Sequence, residues 1–563
     1  MNDQLVLYPH FDAIQVVMMP ALKTCMADLA LINGKIITVD EEFSIAEAIA
    51  VKNGKVQLVG TTGKVKELVG SETNLVELKG RTVMPGLYDS HLHVVGTGSA
   101  LQMINCRTPP IMSVEDLKKL VAEKVKRVEL GEWILGRGWD QAKLAEKRNP
   151  TRYDLDEVAP DNPVVLTRTC GHLLVANSLA LEIGGISKDT PQPVGGRIVK
   201  DENSEPTGVL EEGPAMNLVR NQIPPEGISD YISQIETACK AFNEVGITSV
   251  IDAGNTEDQM VAYQLLKMGG GLTVRTNMML AAIQKSESIE DSVKRIENFP
   301  MLTGMGDDVL RFQGLKILID GGIGGRTALL REPYENDPDD YGLLTVPVEN
   351  LQKLVDAANR RGMLCGIHCA GGKAMDIALN AYKETNKIKP IKGRRFYLIH
   401  AYQPSEENFE ECREMGIIVA SQPSFLYYLG DSYLENIGHE RSKWLKPHRA
   451  WIDEGIIVGG GTDSPVTPYL PFPSIWASIA RRTEVKGSQM GTEQKITREE
   501  AIRMYTINSA YLAFEENIKG SLEPGKLADM IVLDRDILTC IEDDIKDIKV
   551  LTTYLCGQVV YEA

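Results

Sequence analysis

Residues 348–372, VENLQKLVDAANRRGMLCGIHCAGG, fall into three parts. An amphipathic helix runs to a glycine that ends it, a short apolar strand follows, and the strand closes on a histidine and a small polar loop. The same order returns in ISDYISQIETACKAFNEVG with ITSVIDAG (228–254), in SEENFEECREMG with IIVASQPS (405–424), and in HRAWIDEG with IIVGGGTDSP (448–465). In the first of these, Ile232, Ile235, Cys239, Phe242 and Val245 stand at helical spacing before Gly246 stops the helix. Helices alternating with buried strands predict an α/β protein with a parallel sheet and crossover helices.

Working outward, eight strands can be counted: RTVMPGLYDSHLH (81–93), ITSVIDAG (247–254), TVRTNMML (273–280), GLKILID (314–320), LCGIHCAG (364–371), FYLIHAY (396–402), IIVASQPS (417–424) and IIVGGGTDSP (456–465). Eight is the number that closes a (β/α)8 TIM barrel. A large insertion, about 96–227, separates the first strand from the second and carries a hairpin signal, GGRIVKDENSEPTGVLEEG (195–213). Loops after barrel strands overhang the mouth, so this insertion is expected to form a lid. After the barrel, TREEAIRMYTINSAYLAF (497–514) opens with a capping box, Thr497 with Glu500, and reads as a helix.

Both ends of the chain have a β-rich style. DLALINGKIITVD, AIAVKNGKVQLVG and NLVELKG stand near the start, with Asn-Gly at 33–34 and 53–54 as hairpin signals. LADMIVLDRD and VLTTYLCGQVVYEA stand near the end, so one small sheet domain is expected to draw on both termini. The first 25 residues carry Asp3, Pro9, His10, Asp12 and Pro20, which fits neither a signal peptide nor a membrane span. They read as an extension lying on the folded body or on a partner subunit.

With 43% hydrophobic and 25% charged residues, the 563-residue chain has the composition of a soluble globular protein. A net charge of −18 with no basic block argues against nucleic acid or an anionic membrane as partner. Nine scattered cysteines lack the spacing of a zinc knuckle or redox motif, Cys365 and Cys369 being the nearest pair. Reduced thiols and a cytoplasmic location are the expectation.

The chemistry gathers at strand ends. His91 and His93 are two of only eight histidines, and residues i and i+2 of a strand face one way. His368 ends the fifth strand, His400 the sixth, and Asp463 the eighth. Four histidines and an aspartate on one barrel rim point to a metal site. Lys316, inside an apolar strand, is costly as a buried charge. It either reaches the rim, pairs with Asp320, or is converted by CO2 to a carbamate able to bridge two ions.

These positions resemble the amidohydrolase superfamily, and within it the amidohydrolase-3 branch of YtcJ-like and N-substituted formamide deformylase-like proteins. PGLYDSHLH is similar to the superfamily's first-strand motif, and GSLEPGKLADMIVLD to the formula of its small β-sandwich domain. RTCGHLLVANSLAL, GGRIVKDENSEPTGVLEE and LKILIDGGIGGRTALL carry the likeness to the branch. The resemblance spans nearly the whole chain and implies a β-sandwich domain built from both chain ends. The expected division is 1–80 for the extension and first sandwich part, 81–514 for the barrel, and 515–563 for the second sandwich part.

The resemblance further implies that His91 and His93 bind the more buried metal beside Asp463. Lys316, as a carbamate, would bridge, and His368 and His400 would hold a second ion. With a single ion, one of Lys316, His368 and His400 would be a bystander or substrate contact. His172, in CGHLLVANS, would reach substrate from the insertion, unless it makes only a local hydrogen bond. Trp139, Asp140, Arg326 and Tyr341 are further candidates for substrate binding, although Trp139 and Tyr341 read equally well as packing residues. Two departures stand out. Ile399 replaces a Glu that many relatives have, and Gly371, Gly372 and Lys373 stand where many have Gly-Asp-Arg.

Nitrogen and oxygen ligands without thiolate suit Zn²⁺, with Mn²⁺, Fe²⁺ or Co²⁺ as alternatives. The expected activity is metal-dependent hydrolysis of a non-peptide C–N bond in a small molecule, an amide, N-substituted formamide or cyclic amide. Asp463 would move the proton from attacking water to the leaving nitrogen. Deamination of a heterocycle is the rival activity, and a retired enzyme serving as a regulatory scaffold is the rival class. A homodimer is plausible for the branch.

Overall fold

A computed structural model describes residues 26–108, 110–141, 143–168, 173–193, 195–284 and 287–563. The amino-terminal extension lies outside these residues. Eight parallel strands form one sheet: β1 (Leu87–Leu92), β2 (Ile247–Asn255), β3 (Arg275–Ala281), β4 (Leu310–Leu318), β5 (Leu364–Cys369), β6 (Tyr397–His400), β7 (Ile418–Ser421) and β8 (Val458–Gly460). Neighbours in the sheet are neighbours in this order, and all eight fall on the strands counted in the sequence.

The repeated unit explains why. Gly246, Gly362, Gly416 and Gly455 end the preceding helices at φ of 81°, 86°, 68° and 70°, a region costly for any residue with a Cβ. Each strand that follows is then buried on both faces, by the barrel interior and by the helices outside. Tyr88, Ile251, Met279, Leu364, Tyr397, Ile399 and Ile418 belong to one buried cluster inside the barrel, with Leu512 of helix Ile507–Leu512.

The sheet comes round on itself through polar groups. Asp463 N–H donates to His91 O at 2.8 Å, and Asp89 Oδ2 accepts from Thr462 N at 3.0 Å and Oγ1 at 2.7 Å. These bonds bring the loop after β8 against the end of β1, so the first and last site residues of the chain meet.

The first barrel strand is shorter than the sequence suggests. Thr82–Pro85 pairs with strands Met530–Leu533 and Lys35–Ile37, and only Leu87–Leu92 enters the barrel. Gly86 is the joint: a Cβ there would lie 2.3 Å from Thr248 Oγ1. The residues near the two chain ends form a six-stranded sheet that includes Gln558–Glu562, Val550–Leu555, Met530–Leu533 and Thr82–Pro85, and a separate four-stranded sheet. Asn53-Gly54 makes the expected hairpin, joining Ala48–Lys52 to Lys55–Gly60. Asn33-Gly34 does not, because the strands on its two sides belong to different sheets, and a Cβ on Gly34 would meet Leu78 Cδ1 at 2.3 Å.

Between β1 and β2 the chain folds a further six-stranded sheet, including the hairpin of Arg197–Lys200 and Pro206–Glu211. After β8, Thr497 and Glu500 make the expected capping box, but the chain breaks at Thr506 into two helices, Arg498–Met504 and Ile507–Leu512. No helix among the described residues is long and apolar enough to cross a membrane.

Candidate metal centre

Six side chains from five strands or their ends converge at the carboxyl rim of the barrel. His91 lies in β1 and His93 directly follows it. Lys316 lies in β4, His368 in β5, His400 ends β6, and Asp463 follows β8. His400 and Asp463 sit at φ of 73° and 57°, conformations that cost about 1–3 kcal/mol for residues other than glycine and are held by the packed rim.

His91 Nε2 and His93 Nε2 lie 3.5 and 3.2 Å from Asp463 Oδ1. Among the described residues these three offer ligand atoms that all lie within 4.8 Å of one another. Lys316 Nζ is 3.2 Å from His91 Nε2, and His400 Nε2 is 2.9 Å from His368 Nδ1 and 3.9 Å from Asp463 Oδ2. Asp320, the alternative partner for Lys316, is engaged elsewhere. Its carboxylate accepts from the backbone N–H of Leu329, Ala370 and Gly371 at 2.8–2.9 Å and fixes the loop after β5.

The outer nitrogens decide the tautomers. His93 Nδ1–H donates to Ala253 O at 2.7 Å, and His368 Nε2–H to Gly321 O at 3.2 Å. Gln422 Nε2 donates to Ala420 O, so its Oε1 faces His400 Nδ1–H at 2.6 Å. The inward nitrogens of His93, His368 and His400 are therefore lone-pair donors. The two on His368 and His400, 2.9 Å apart and both on rings whose pKa is lowered, repel unless a cation lies between them. Asp463 Oδ1 is also buried without a hydrogen-bond donor. This donor set, nitrogen and carboxylate oxygen without sulfur, fits a divalent metal.

Electrostatics favour the neutral form of three of these histidines; at His93 burial is outweighed by the hydrogen bond and charge of Asp463, which raise its pKa. Burial, reinforced by the charge of Lys316, lowers the pKa of His91 and brings that of His368 down to about 3. Burial and the nearby His368 also hold His400 well below the usual imidazole range. Burial lowers the ammonium of Lys316 to about 8, only partly opposed by Asp463.

A cavity of about 540 Å³ opens on this cluster, lined by Asp463, His368 and His400 on one side and by Leu318, Leu429 and Val466 among its apolar residues. Two residues escaped the sequence reading. Lys446, 1% exposed, donates from Nζ to the Oε1 of Gln422 at 2.9 Å and lies over the rings of Tyr402 and Phe425. Gln422, wholly buried, thus carries both His400 and a buried lysine. Its place directly after β7 was the available signal.

The other candidates lie elsewhere. Trp139 is a correction: fully buried, it packs with Leu117, Ile134 and Leu166 in the core of the inserted sheet, its indole N–H donating to Leu166 O. The apolar area of that ring outweighs any use at the mouth. Asp140 accepts from Arg168 Nη2 at 3.1 Å. Arg326 is engaged by Asp340 at 3.0 Å and Asp337 at 3.7 Å. Tyr341 is 44% exposed. None of these three lines the cavity beside the histidines. His172 lies outside the described residues.

Residues 74–561 match the amidohydrolase family. The chain belongs to that family. It is 32% identical over 542 residues to the putative amidohydrolase YtcJ of Bacillus subtilis (strain 168), covering 94% of this chain and 98% of that one. It is 30% identical over 544 residues to the N-substituted formamide deformylase of Arthrobacter pascens, covering 96% and 99%. The crystal structure of an uncharacterized metal-dependent hydrolase from Pyrococcus horikoshii OT3 superposes with a TM-score of 0.73 at 29% identity, over 92% of this chain and 99% of that one. The protein is thus an amidohydrolase with a (β/α)8 barrel and a metal-dependent hydrolase, in which His91, His93 and Asp463 are grouped closely enough to hold a divalent ion. The departure at Ile399 has a physical reading in this amidohydrolase. Ile399 is fully buried in the barrel interior, where a carboxylate would lack water.

Proposed function

We propose that this amidohydrolase hydrolyses a non-peptide C–N bond of a small amide, formamide or cyclic amide at a two-ion centre, with zinc as the metal. The observation that carries the two-ion reading is the facing pair of lone-pair nitrogens on His368 and His400, beside a second set made by His91, His93 and Asp463. Lys316 lies 3.2 Å from His91 of one set, and its charge acts on His368 and His400 of the other. With its pKa near 8 it has free amine at neutral pH, and attack on CO2 with loss of a proton gives a carbamate that neutralises the buried cation. The relation to an enzyme named N-substituted formamide deformylase supports the bond type.

A divalent ion bound here supplies Lewis acidity and lowers the pKa of water from ~15.7 to about 7. Asp463, with an oxygen lacking a donor, takes the proton from attacking water and returns it to the leaving nitrogen. His400, locked by Gln422, keeps its inward nitrogen unprotonated, and Ala253 O orients the ring of His93. The apolar wall of Leu318, Leu429 and Val466 receives the substituent and excludes water. His172, at the insertion, remains the candidate for contacting substrate there.

The inserted sheet serves as the lid, and the two sheets drawn from the chain ends serve as the β-sandwich domain that braces β1. The buried thiols of Cys106, Cys239, Cys365, Cys369 and Cys412 are unpaired, which supports a cytoplasmic setting. The test is a panel of N-substituted formamides, cyclic amides and aminoheterocycles on zinc-loaded protein. Release of a substituted amine with formate, or opening of a ring amide, is expected. Ammonia release from heterocycles alone would replace this reading with deamination.

A further inference from the structure

Beside the metal centre lies a second, larger cavity of about 850 Å³. It shares Leu429 and Val466 with the cavity over the metal ligands, and its wall includes Ser464, the residue after Asp463. Its far wall comes from the inserted sheet and carries Arg107 and Arg137. Strands Ile104–Asn105 and Ile134–Trp139 run parallel with Asn105 opposite Arg137, which sets the two arginines at the same edge. Gly138, at φ 116°, allows the close approach, since a Cβ there would lie 3.1 Å from Arg107 N.

Both arginines are exposed and line this cavity, and among the described residues neither has a carboxylate partner or a side-chain hydrogen bond. That is unusual in a chain with 78 acidic and 60 basic residues. Arg148, Arg197 and Arg360, exposed elsewhere, each hold an acid at 2.6–2.9 Å. Glu226, the acid on the cavity wall, accepts from Gln234 Nε2 at 2.6 Å. Arg220 lies near enough that burial, and then the like charge of Arg137, lower its pKa. Positive charge is thus collected on one wall, and among the described residues no carboxylate is paired with either arginine.

We propose that Arg107 and Arg137 form a carboxylate subsite, so that the substrate is an amide whose far end is an acid. The planar, five-donor guanidinium matches a carboxylate, and two of them at a cavity edge give both attraction and orientation. The apolar residues between the two cavities, Leu429 and Val466, fit an aliphatic or aromatic spacer between acid and amide. The substrate class deepens, and rests on, the C–N hydrolase reading.

The test uses ω-formamidoalkanoates of increasing chain length and their isosteric terminal carboxamides, which are neutral. Binding to the zinc-loaded full-length protein is measured by calorimetry, or by competition where turnover is fast. At the fitting length the acid is expected to bind roughly tenfold or more tightly than the amide, about the size of one charge-assisted hydrogen bond. Arg107→Gln with Arg137→Gln should erase that preference, while the paired Lys variant keeps part of it. Unchanged metal content and unchanged binding of the neutral amides show that the fold is intact. Equal binding of acid and amide at every length, or a preference that survives the double Gln variant, overturns the subsite. Amine release is scored separately. Its absence with the preference retained sinks the formamide reading and leaves the subsite standing; its presence without the preference does the reverse.

Discussion

Replacing Gln422 with Leu tests how the barrel holds its sixth-strand histidine. The side chain is wholly buried, and its Oε1 accepts from His400 Nδ1 at 2.6 Å and Lys446 Nζ at 2.9 Å. Leu fills a similar volume but leaves two buried donors without an acceptor. At ~1–3 kcal/mol for each unsatisfied group, the loss would reach ~2–6 kcal/mol. Lys446 can relax by giving up its proton, since burial already holds its pKa well below the usual ammonium range. That places the expected destabilisation at ~2–4 kcal/mol. The ring of His400 also loses the bond that fixes its tautomer. Loss of such an outer partner weakens metal binding by about 10–100-fold.

Two assays separate these effects. Urea unfolding of metal-free protein reads the first, and competition with a chromophoric chelator reads the second. Gln422→Glu restores an acceptor for both donors and should return metal affinity toward that of the parent. If Gln422→Leu keeps parental stability and metal affinity, then the bond to His400 does not set the tautomer, and the lone-pair argument for a second ion fails with it.

Other expectations follow from single contacts. Asp463→Asn keeps an oxygen toward His91 and His93 but loses the base, so kcat should fall roughly 10²–10⁴-fold with metal retained; undiminished turnover would remove Asp463 from proton transfer. Arg275, 2% exposed, ties β3 to the sheet from the chain ends through Asp529 at 2.6 and 3.0 Å. Arg275→Met strands that carboxylate and should cost ~3–5 kcal/mol in urea unfolding, partly recovered by adding Asp529→Leu. Gly98 faces helix Ile228–Glu244, and a Cβ there would lie 1.9 Å from Gln234 O. Gly98→Ala should lower stability by ~1–3 kcal/mol or more, and metal content should drop because Gly98 lies in helix Val94–Gln102, which begins directly after His93.

Much of the barrel was legible because its unit repeats. A helix, a glycine at positive φ and a short apolar strand leave a local signature, and β5, β7 and β8 follow it closely. The histidines were legible because strand ends were. Two features were not. The strand through Gly86 changes sheet at a residue whose role depends on Thr248, far along the chain. Asn33-Gly34 reads as a hairpin locally, but tertiary pairing sends its two flanks to different sheets. In the site, Lys446 and Gln422 carry no motif, because their meaning comes from meeting His400 across the rim. Trp139 was open between pocket wall and packing in the sequence, and its burial in the inserted sheet decides for packing.

The two-ion rim is tested most directly by elemental analysis of protein purified without chelators or metal-affinity columns and supplied with zinc and bicarbonate. The expected result is about two equivalents per chain, falling to about one in the His368→Ala, His400→Ala double variant. One equivalent that the double variant leaves unchanged, or none, would contradict it.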